Sequence, residues 1–168
     1  IAGVDITSPT VTEKAITLAT HMANNLVDQF DAPDDPDDVW AVRRGLAEIA
    51  KGTMRKSGEP TAVKQRGVVA LWDGEYLPGQ FVIARAIDWA VPRAAEQGIA
   101  AVTVRRSHHI GCLAALCLRA VDQGFVALIA NSDPAGARVA PYGGTEALFT
   151  PDPFAIGYPG SPNPVLVD

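Results

Sequence analysis

Hydrophobic residues recur with two different spacings along this chain. Between residues 10 and 52 they return every three to four positions, at Ile16, Ala19, Ala23, Leu26, Val27 and Phe30, then at Val39, Val42, Leu46 and Ile49. That spacing predicts two helices, each with one apolar face. Thr10-Val11-Thr12-Glu13 has the form of a capping box for the first helix: a hydroxyl that takes a backbone N–H and a carboxylate that reaches back. The acidic run from Asp31 to Asp38, broken by Pro33 and Pro36, separates the two helices. Asp35 suits an N-cap, Pro36 suits the first helical position, and Gly52 ends the second helix. Thr53 to Gly67 is polar, contains Gly58 and Pro60, and reads as a connecting loop.

From residue 68 onward short continuous apolar runs take over. Val68 to Trp72, Ile99 to Val104 and Phe125 to Ala130 predict buried strands, the first closed by Asp73-Gly74. Phe81 to Gln97 and Leu113 to Gln123 return to helical spacing and stop at Gly98 and Gly124, with Pro92 expected to kink the longer one. The pattern predicts an α/β fold: a helical segment over residues 1–60, then an α/β unit over 61–168. A single helix separates strands 99–104 and 125–130, so these are expected to be parallel neighbours. After Asn131, turn residues prevail in Ser132-Asp133-Pro134, Pro141-Tyr142-Gly143-Gly144 and Pro151-Asp152-Pro153. A long structured loop is expected there, followed by a last strand at Pro164-Val165-Leu166-Val167. No internal repeat is visible.

Composition narrows the function classes. With 48% hydrophobic and 20% charged residues the chain is globular in character, and a net charge of -5 offers no basic face for nucleic acid. Charged residues interrupt every apolar run before membrane-spanning length. The first residue is Ile1 and an apolar run lies just before Asp168, which leads us to expect a fragment or processed product of a longer polypeptide. Cys112 and Cys117 stand five apart in one helical pattern and do not face each other. Buried thiols in a reducing compartment, the cytoplasm, are therefore expected rather than a disulfide. Cys112, Cys117 and His109 are too few for a zinc site, and no metal is expected.

The candidate chemistry sits in Arg105-Arg106-Ser107-His108-His109-Ile110-Gly111, between a predicted strand and a predicted helix. If strands 99–104 and 125–130 are parallel neighbours, this segment and Asn131-Ser132-Asp133 emerge on one sheet edge, where α/β proteins bind ligands. A histidine there can move protons near neutral pH. Arg105 and Arg106 could each hold a carboxylate or phosphate, and Ser107 with the first helical N–H groups adds donors. The same residues would also suit a solvated loop whose histidines only cap the helix. His21, inside the first predicted helix, reads as an edge-of-core residue. Neither G-x-G-x-x-G nor G-x-x-x-x-G-K occurs, so the Rossmann and P-loop phosphate signatures are missing.

Several spaced motifs resemble one family. Gly98 to Val104, Ser107-His108-His109-Ile110-Gly111 and Ala120 to Gly124 are followed by Asn131-Ser132, Ala140 to Glu146, Pro153 to Ile156 and Pro164 to Asp168. In this order they resemble the malate/L-lactate dehydrogenase type 2 family, which includes ureidoglycolate dehydrogenase, diketogulonate reductase and reductases of cyclic imino acids. The resemblance runs over residues 40–168 and corresponds to the N-terminal half of a chain about twice as long. It implies a non-Rossmann fold, a mixed sheet with covering helices, and an oxidoreductase moving a hydride between NAD or NADP and a small 2-hydroxy acid, 2-oxo acid or imino acid. In such chemistry the nicotinamide carries the hydride while the protein orients the substrate and moves a proton.

Carried onto these residues, the resemblance implies that His109 gives or takes the proton. It places Ser107, Asn131, Ser132, Asp133, Thr150 and Asp168 about the cofactor, and makes Arg43 and Arg44 candidates for the substrate carboxylate. It also implies a second polypeptide supplying the C-terminal half and a homo-oligomer of the assembled unit. Two stretches depart from the family pattern. Pro36-Asp37-Asp38 stands where many members carry Ser-His-Gly and then an arginine, and Phe149-Thr150-Pro151-Asp152-Pro153 replaces a Gly-Thr-Asn-Pro. Two further readings therefore stay open: cofactor-independent acid–base or hydrolytic chemistry on the same fold, and a non-catalytic subunit.

Overall fold

The computed structural model describes residues 45–133 and 136–168. The helical pattern at residues 10–44, with the capping box, the acidic run, His21, Arg43 and Arg44, lies outside the described residues. Residues 45–50 are helical and end at Gly52, whose φ of 75° is the left-handed conformation that suits glycine. The amides of Thr53 and Met54 then donate to the Glu48 carbonyl at 3.0 and 3.1 Å, closing the helix end.

Six strands and two helices follow: β1 (Thr61–Arg66), β2 (Val69–Asp73), α1 (Gly79–Gln97), β3 (Ala101–Arg105), α2 (Leu113–Val121), β4 (Ala127–Ala130), β5 (Phe154–Tyr158) and β6 (Val165–Val167). They form two three-stranded sheets, β1-β2-β3 and β4-β5-β6. In the first, β1 and β2 are antiparallel while β2 and β3, joined across α1, are parallel. The second is antiparallel throughout. Strands 99–104 and 125–130 are thus not neighbours, correcting the expected parallel pair: β3 closes one sheet and β4 opens the other. The polar stretch 53–67 is likewise not all loop, because β1 lies within it. All six residues of β1 are exposed, so an edge strand forms there without any apolar alternation to announce it. The expected loop after Asn131 runs only to Pro153, where β5 begins.

α1 runs unbroken through Pro92 to Gly98, which takes a φ of 86° and donates to the Ala94 carbonyl at 2.8 Å. Its buried faces serve both sheets. Ala86 and Trp89 pack with Ala70, Trp72, Val102 and Val104 of the first sheet. Ile83 and Ile87 pack against a second cluster of Ile110, Leu113, Cys117, Ile129 and Ala155. Trp72 and Trp89 meet edge to face with ring centres 6.1 Å apart, and the Arg93 guanidinium lies 4.0 Å over the Trp89 ring.

Among the described residues the second sheet is covered on one face only. Ala155 and Gly157 face α2, and a Cβ on Gly157 would lie 2.8 Å from Val121 Cγ2 and 3.0 Å from Cys117 Cβ. On the other face Leu128 is 66% exposed and Phe154 59% exposed, and Tyr158, Val165 and Val167 are open as well. An antiparallel sheet commonly leaves one face to solvent, but that face is then polar, whereas this one is apolar.

Candidate functional site

The site is built around the segment that leads from β3 to α2. Two parallel strands end side by side here, with Asp73 of β2 opposite Arg105 of β3. The Asp73 side chain is buried, and both arginines close on it. Arg106 Nε donates to Oδ1 at 2.9 Å and its Nη2 to Oδ2, while Arg105 Nε donates to Oδ2 at 3.1 Å. The Glu75 amide adds a donor to Oδ1 at 3.0 Å. The bonded Arg106 guanidinium, helped by that amide and by Arg105, holds the Asp73 carboxyl down at about 2, although burial alone would raise it. The carboxylate in turn raises Arg106 above its usual value. Arg105 and Arg106, expected to hold an external anion, have theirs inside the chain.

The turn after Asp73 is laid directly along the segment that carries the histidines. Gly74 N donates to Arg105 O at 2.8 Å, Tyr76 N to Arg106 O at 2.7 Å, and His108 N to Leu77 O at 3.1 Å. A Cβ on Gly74 would come within 3.0 Å of Arg106 O and of Ser107 Cβ, which fixes half-buried Ser107 by packing. One turn on, a Cβ on Gly79 would lie 2.2 Å from His108 O and 2.7 Å from His109 O, so only glycine lets α1 begin beneath this loop. Glu75, Tyr76 and Arg106 all have left-handed φ of 54–57°, leaving Asp152 as the other such non-glycine residue among the described residues. Each costs roughly 1 kcal/mol or more and persists where its surroundings over-determine it.

The two histidines have different neighbours. His108 Nε2 donates to the Thr53 carbonyl at 2.8 Å, and its ring meets Tyr76 edge-on at 6.4 Å. It thereby ties this loop to the end of the helix at 45–50. His109 is exposed and its Nδ1 accepts the Gly111 amide at 3.2 Å, which leaves the proton of the neutral ring on Nε2.

Asp168 comes to the same turn from the far end of the sequence. Its Oδ2 accepts the Ala114 amide at 3.0 Å and the Cys112 thiol at 3.6 Å, so it caps the N-terminus of α2, whose own N-cap side chain makes no capping bond. Cys112 is exposed, contrary to expectation, because it precedes α2 rather than lying on its inner face. Cys117 is buried and free, and burial raises its thiol.

β4 and β6 flank β5 and run in the same direction, so Asn131 and Asp168 leave the second sheet at one edge. With neighbouring strands about 4.8 Å apart, β4 and β6 are separated by roughly 10 Å. The structure therefore brings His109, Asn131 and Asp168 to one edge, but through β6 rather than through pairing of β3 with β4. Asn131 is half-buried and its amide donates to Pro153 O at 3.0 Å. Ser132 and Asp133 are exposed beyond it, Asp133 Oδ2 lying 3.9 Å from Arg138 Nη2, and Thr150 is half-buried across the same loop. Asp73 and Gly79 are missing from the residues singled out by sequence. Two adjacent arginines at the end of one strand and a lone aspartate ending the preceding one were the available signal.

Among the described residues no group of three or more His, Cys, Asp or Glu is gathered for a metal ion, and no helix is long and apolar enough to cross a membrane. Comparison with known proteins agrees with the geometry. The malate/L-lactate dehydrogenase family matches residues 13–168. An L-sulfolactate dehydrogenase of Methanothermobacter thermautotrophicus is 34% identical over 121 residues, 71% of this chain and 35% of that protein. A malate dehydrogenase of Pyrococcus abyssi is 30% identical over 131 residues, 77% of this chain and 35% of its own length. The solved structure of malate dehydrogenase from Pyrococcus horikoshii superposes with a TM-score of 0.68 at 29% identity, covering 75% of this chain and 36% of that one. The matched part of the chain thus spans about a third of the length of these relatives. It belongs to the malate/L-lactate dehydrogenase family.

Proposed function

We propose, with that family membership as the premise, that the chain contributes to an NAD(P)-linked oxidoreductase acting on a small 2-hydroxy or 2-oxo acid, with His109 as its acid–base group. The observation that carries this reading is that His109 and Asp168 each take a backbone amide at the start of α2, His109 that of Gly111 and Asp168 that of Ala114. In its imidazolium form His109 can give the Nε2 proton to a substrate oxygen during reduction, and the neutral ring left behind can take a proton back at Nε2 during oxidation. With Nδ1 protonated in both, the Gly111 contact is released for the step. The donor set at this edge suits the hydroxyl-bearing and amide-bearing end of a nicotinamide nucleotide. Asp168, Asn131, Ser132 and Thr150 offer acceptors and donors for ribose hydroxyls and a carboxamide, with Ser107 and Asp133 at the margins. The Asp168 carboxylate already sits on the Ala114 amide, and its charge disfavours a pyrophosphate at this helix start. When bound, the nicotinamide supplies the hydride.

The part of the relatives' length that this chain does not supply would come from further polypeptide, and Arg43 or Arg44 would hold the substrate carboxylate. The exposed Leu128, Phe154, Tyr158, Val165 and Val167 support the further polypeptide, since a contiguous apolar patch marks an interaction surface. An assembled homo-oligomer and a cytoplasmic setting, where the exposed Cys112 thiol stays reduced, complete the reading. Fluorescence titration of NADH and NADPH, into this chain together with the polypeptide that completes it, tests the proposal. Saturable binding and loss of turnover in His109→Ala are expected. Absence of binding by either nucleotide, or turnover that persists without nucleotide, would overturn it.

A further inference from the structure

We infer that Asp73 and Arg106 are positioning residues for His109, acting as a clamp that holds the backbone ahead of it in a strained but fixed course. The inference rests on the acid–base reading of His109 for its functional meaning, though its geometry stands apart from that reading. Neither residue reaches the ring of His109. Their effect passes through the main chain: the carboxylate grips the Arg106 fork, and Arg106 bears the left-handed φ of 54° that turns the chain out of β3. Its carbonyl then takes the Tyr76 amide at 2.7 Å while its guanidinium lies 5.5 Å from the centre of the Tyr76 ring. Two residues later the His108 amide is fastened to Leu77 O, and the next side chain is His109.

Why should an arginine occupy a left-handed position where glycine would be more comfortable? Gly74 and Gly111 stand on either side of this segment, so glycine is used nearby where only backbone freedom or close approach is needed. At 106 the side chain has work that glycine lacks: it spans from the strained backbone to a buried carboxylate with paired bonds. Strain held in this way, next to a group that must be aimed, is the signature of a positioning device rather than of a spare ion pair.

Glycine at position 106 separates stability from aim. Arg106→Gly relieves the backbone while deleting the clamp, whereas Arg106→Ala deletes the clamp and keeps the strain. The readout is the tautomer of His109 in the labelled chain, from correlations between ring nitrogens and protons at pH 8, beside thermal melts. The parent is expected to show His109 protonated on Nε2 with Nδ1 accepting the Gly111 amide. Arg106→Gly should melt above Arg106→Ala, yet both should bring the His109 tautomer ratio at least tenfold closer to that of a free imidazole. Arg106→Lys, which keeps one bond to the carboxylate and is the safeguard against misfolding, should fall between parent and glycine variant. A folded Arg106→Gly or Arg106→Lys chain with the parent tautomer ratio would overturn the inference. So would a glycine variant that melts below the alanine one. Failure of nucleotide to bind would remove the proposed function and leave these ring measurements untouched.

Discussion

The two sheets both secure the turn from Ser107 to Ala114, by different means. The first does so with charge and backbone: a buried carboxylate on two guanidinium groups, and a ladder of amides from residues 74–77 and 108. The second does so with apolar packing. Ile110 and Leu113 sink into a cluster with Cys117, Ile129 and Ala155, and one carboxylate, Asp168, adds a polar tie. Charge fixes direction, because paired hydrogen bonds tolerate little rotation, whereas apolar packing fixes depth and adapts more readily. His109 sits between the two.

The largest way to break this comparison attacks both sides at once. Gly79→Ala drives a methyl into the carbonyls of His108 and His109 and into Ile110 Cγ2, and is expected to cost about 3 kcal/mol or more in urea unfolding. A loss under 1 kcal/mol would mean that α1 and the loop can separate. Next, Leu113→Ala empties the apolar side alone, with an expected loss of about 2–4 kcal/mol and little change in the pH dependence of stability.

The charged side shows itself through pH. The Asp73 carboxyl is held at about 2 in the folded chain against roughly 3.9 in an unfolded one, so the folded state binds fewer protons between these values. Its contribution is complete above about pH 4 and is lost as pH falls toward 2. Denaturant melts at steps from pH 5 to 2 should show a steeper acid decline in the parent than in Asp73→Asn. Parallel declines would count against the clamp. A smaller effect is expected at Asp168→Ala, about 1 kcal/mol for a lost helix cap, together with faster amide exchange at Ala114. Least of all is Arg119→Ala, which removes the pair to Asp88 between α2 and α1 at 2.6 and 2.8 Å. That pair is partly solvated, and a change within roughly 1 kcal/mol is expected in the same melts.

How much of this could be read from sequence follows the same divide. Apolar runs and helical spacing located α1, β2, β3, α2 and β4 to within a few residues, because these elements bury a face, and β6 by its apolar run although its residues are exposed. β1 escaped because Thr-Ala-Val-Lys-Gln-Arg buries nothing, and β5 because Pro153, Gly157 and Pro159 gave Phe154–Tyr158 the look of a loop. The pairing of β3 with β4 was misjudged since crossover rules assume one sheet, and α1 here feeds two. His109 and Asp168 were singled out through the family's motifs, and the structure places both at the start of α2. The Asp73 clamp was not, because a carboxylate and an arginine 33 positions apart carry no joint signal until two strands lie side by side.

The contact between Trp72 and Trp89 has a practical side. Two indoles 6.1 Å apart and inclined at 71° form a coupled pair of chromophores, one on the strand that ends in Asp73 and one on the helix that begins at Gly79. The half of the molecule that aims His109 thus carries its own optical marker. A couplet in the ultraviolet circular dichroism would report whether strand and helix are still docked, without any label and at concentrations far below those the ring measurements need.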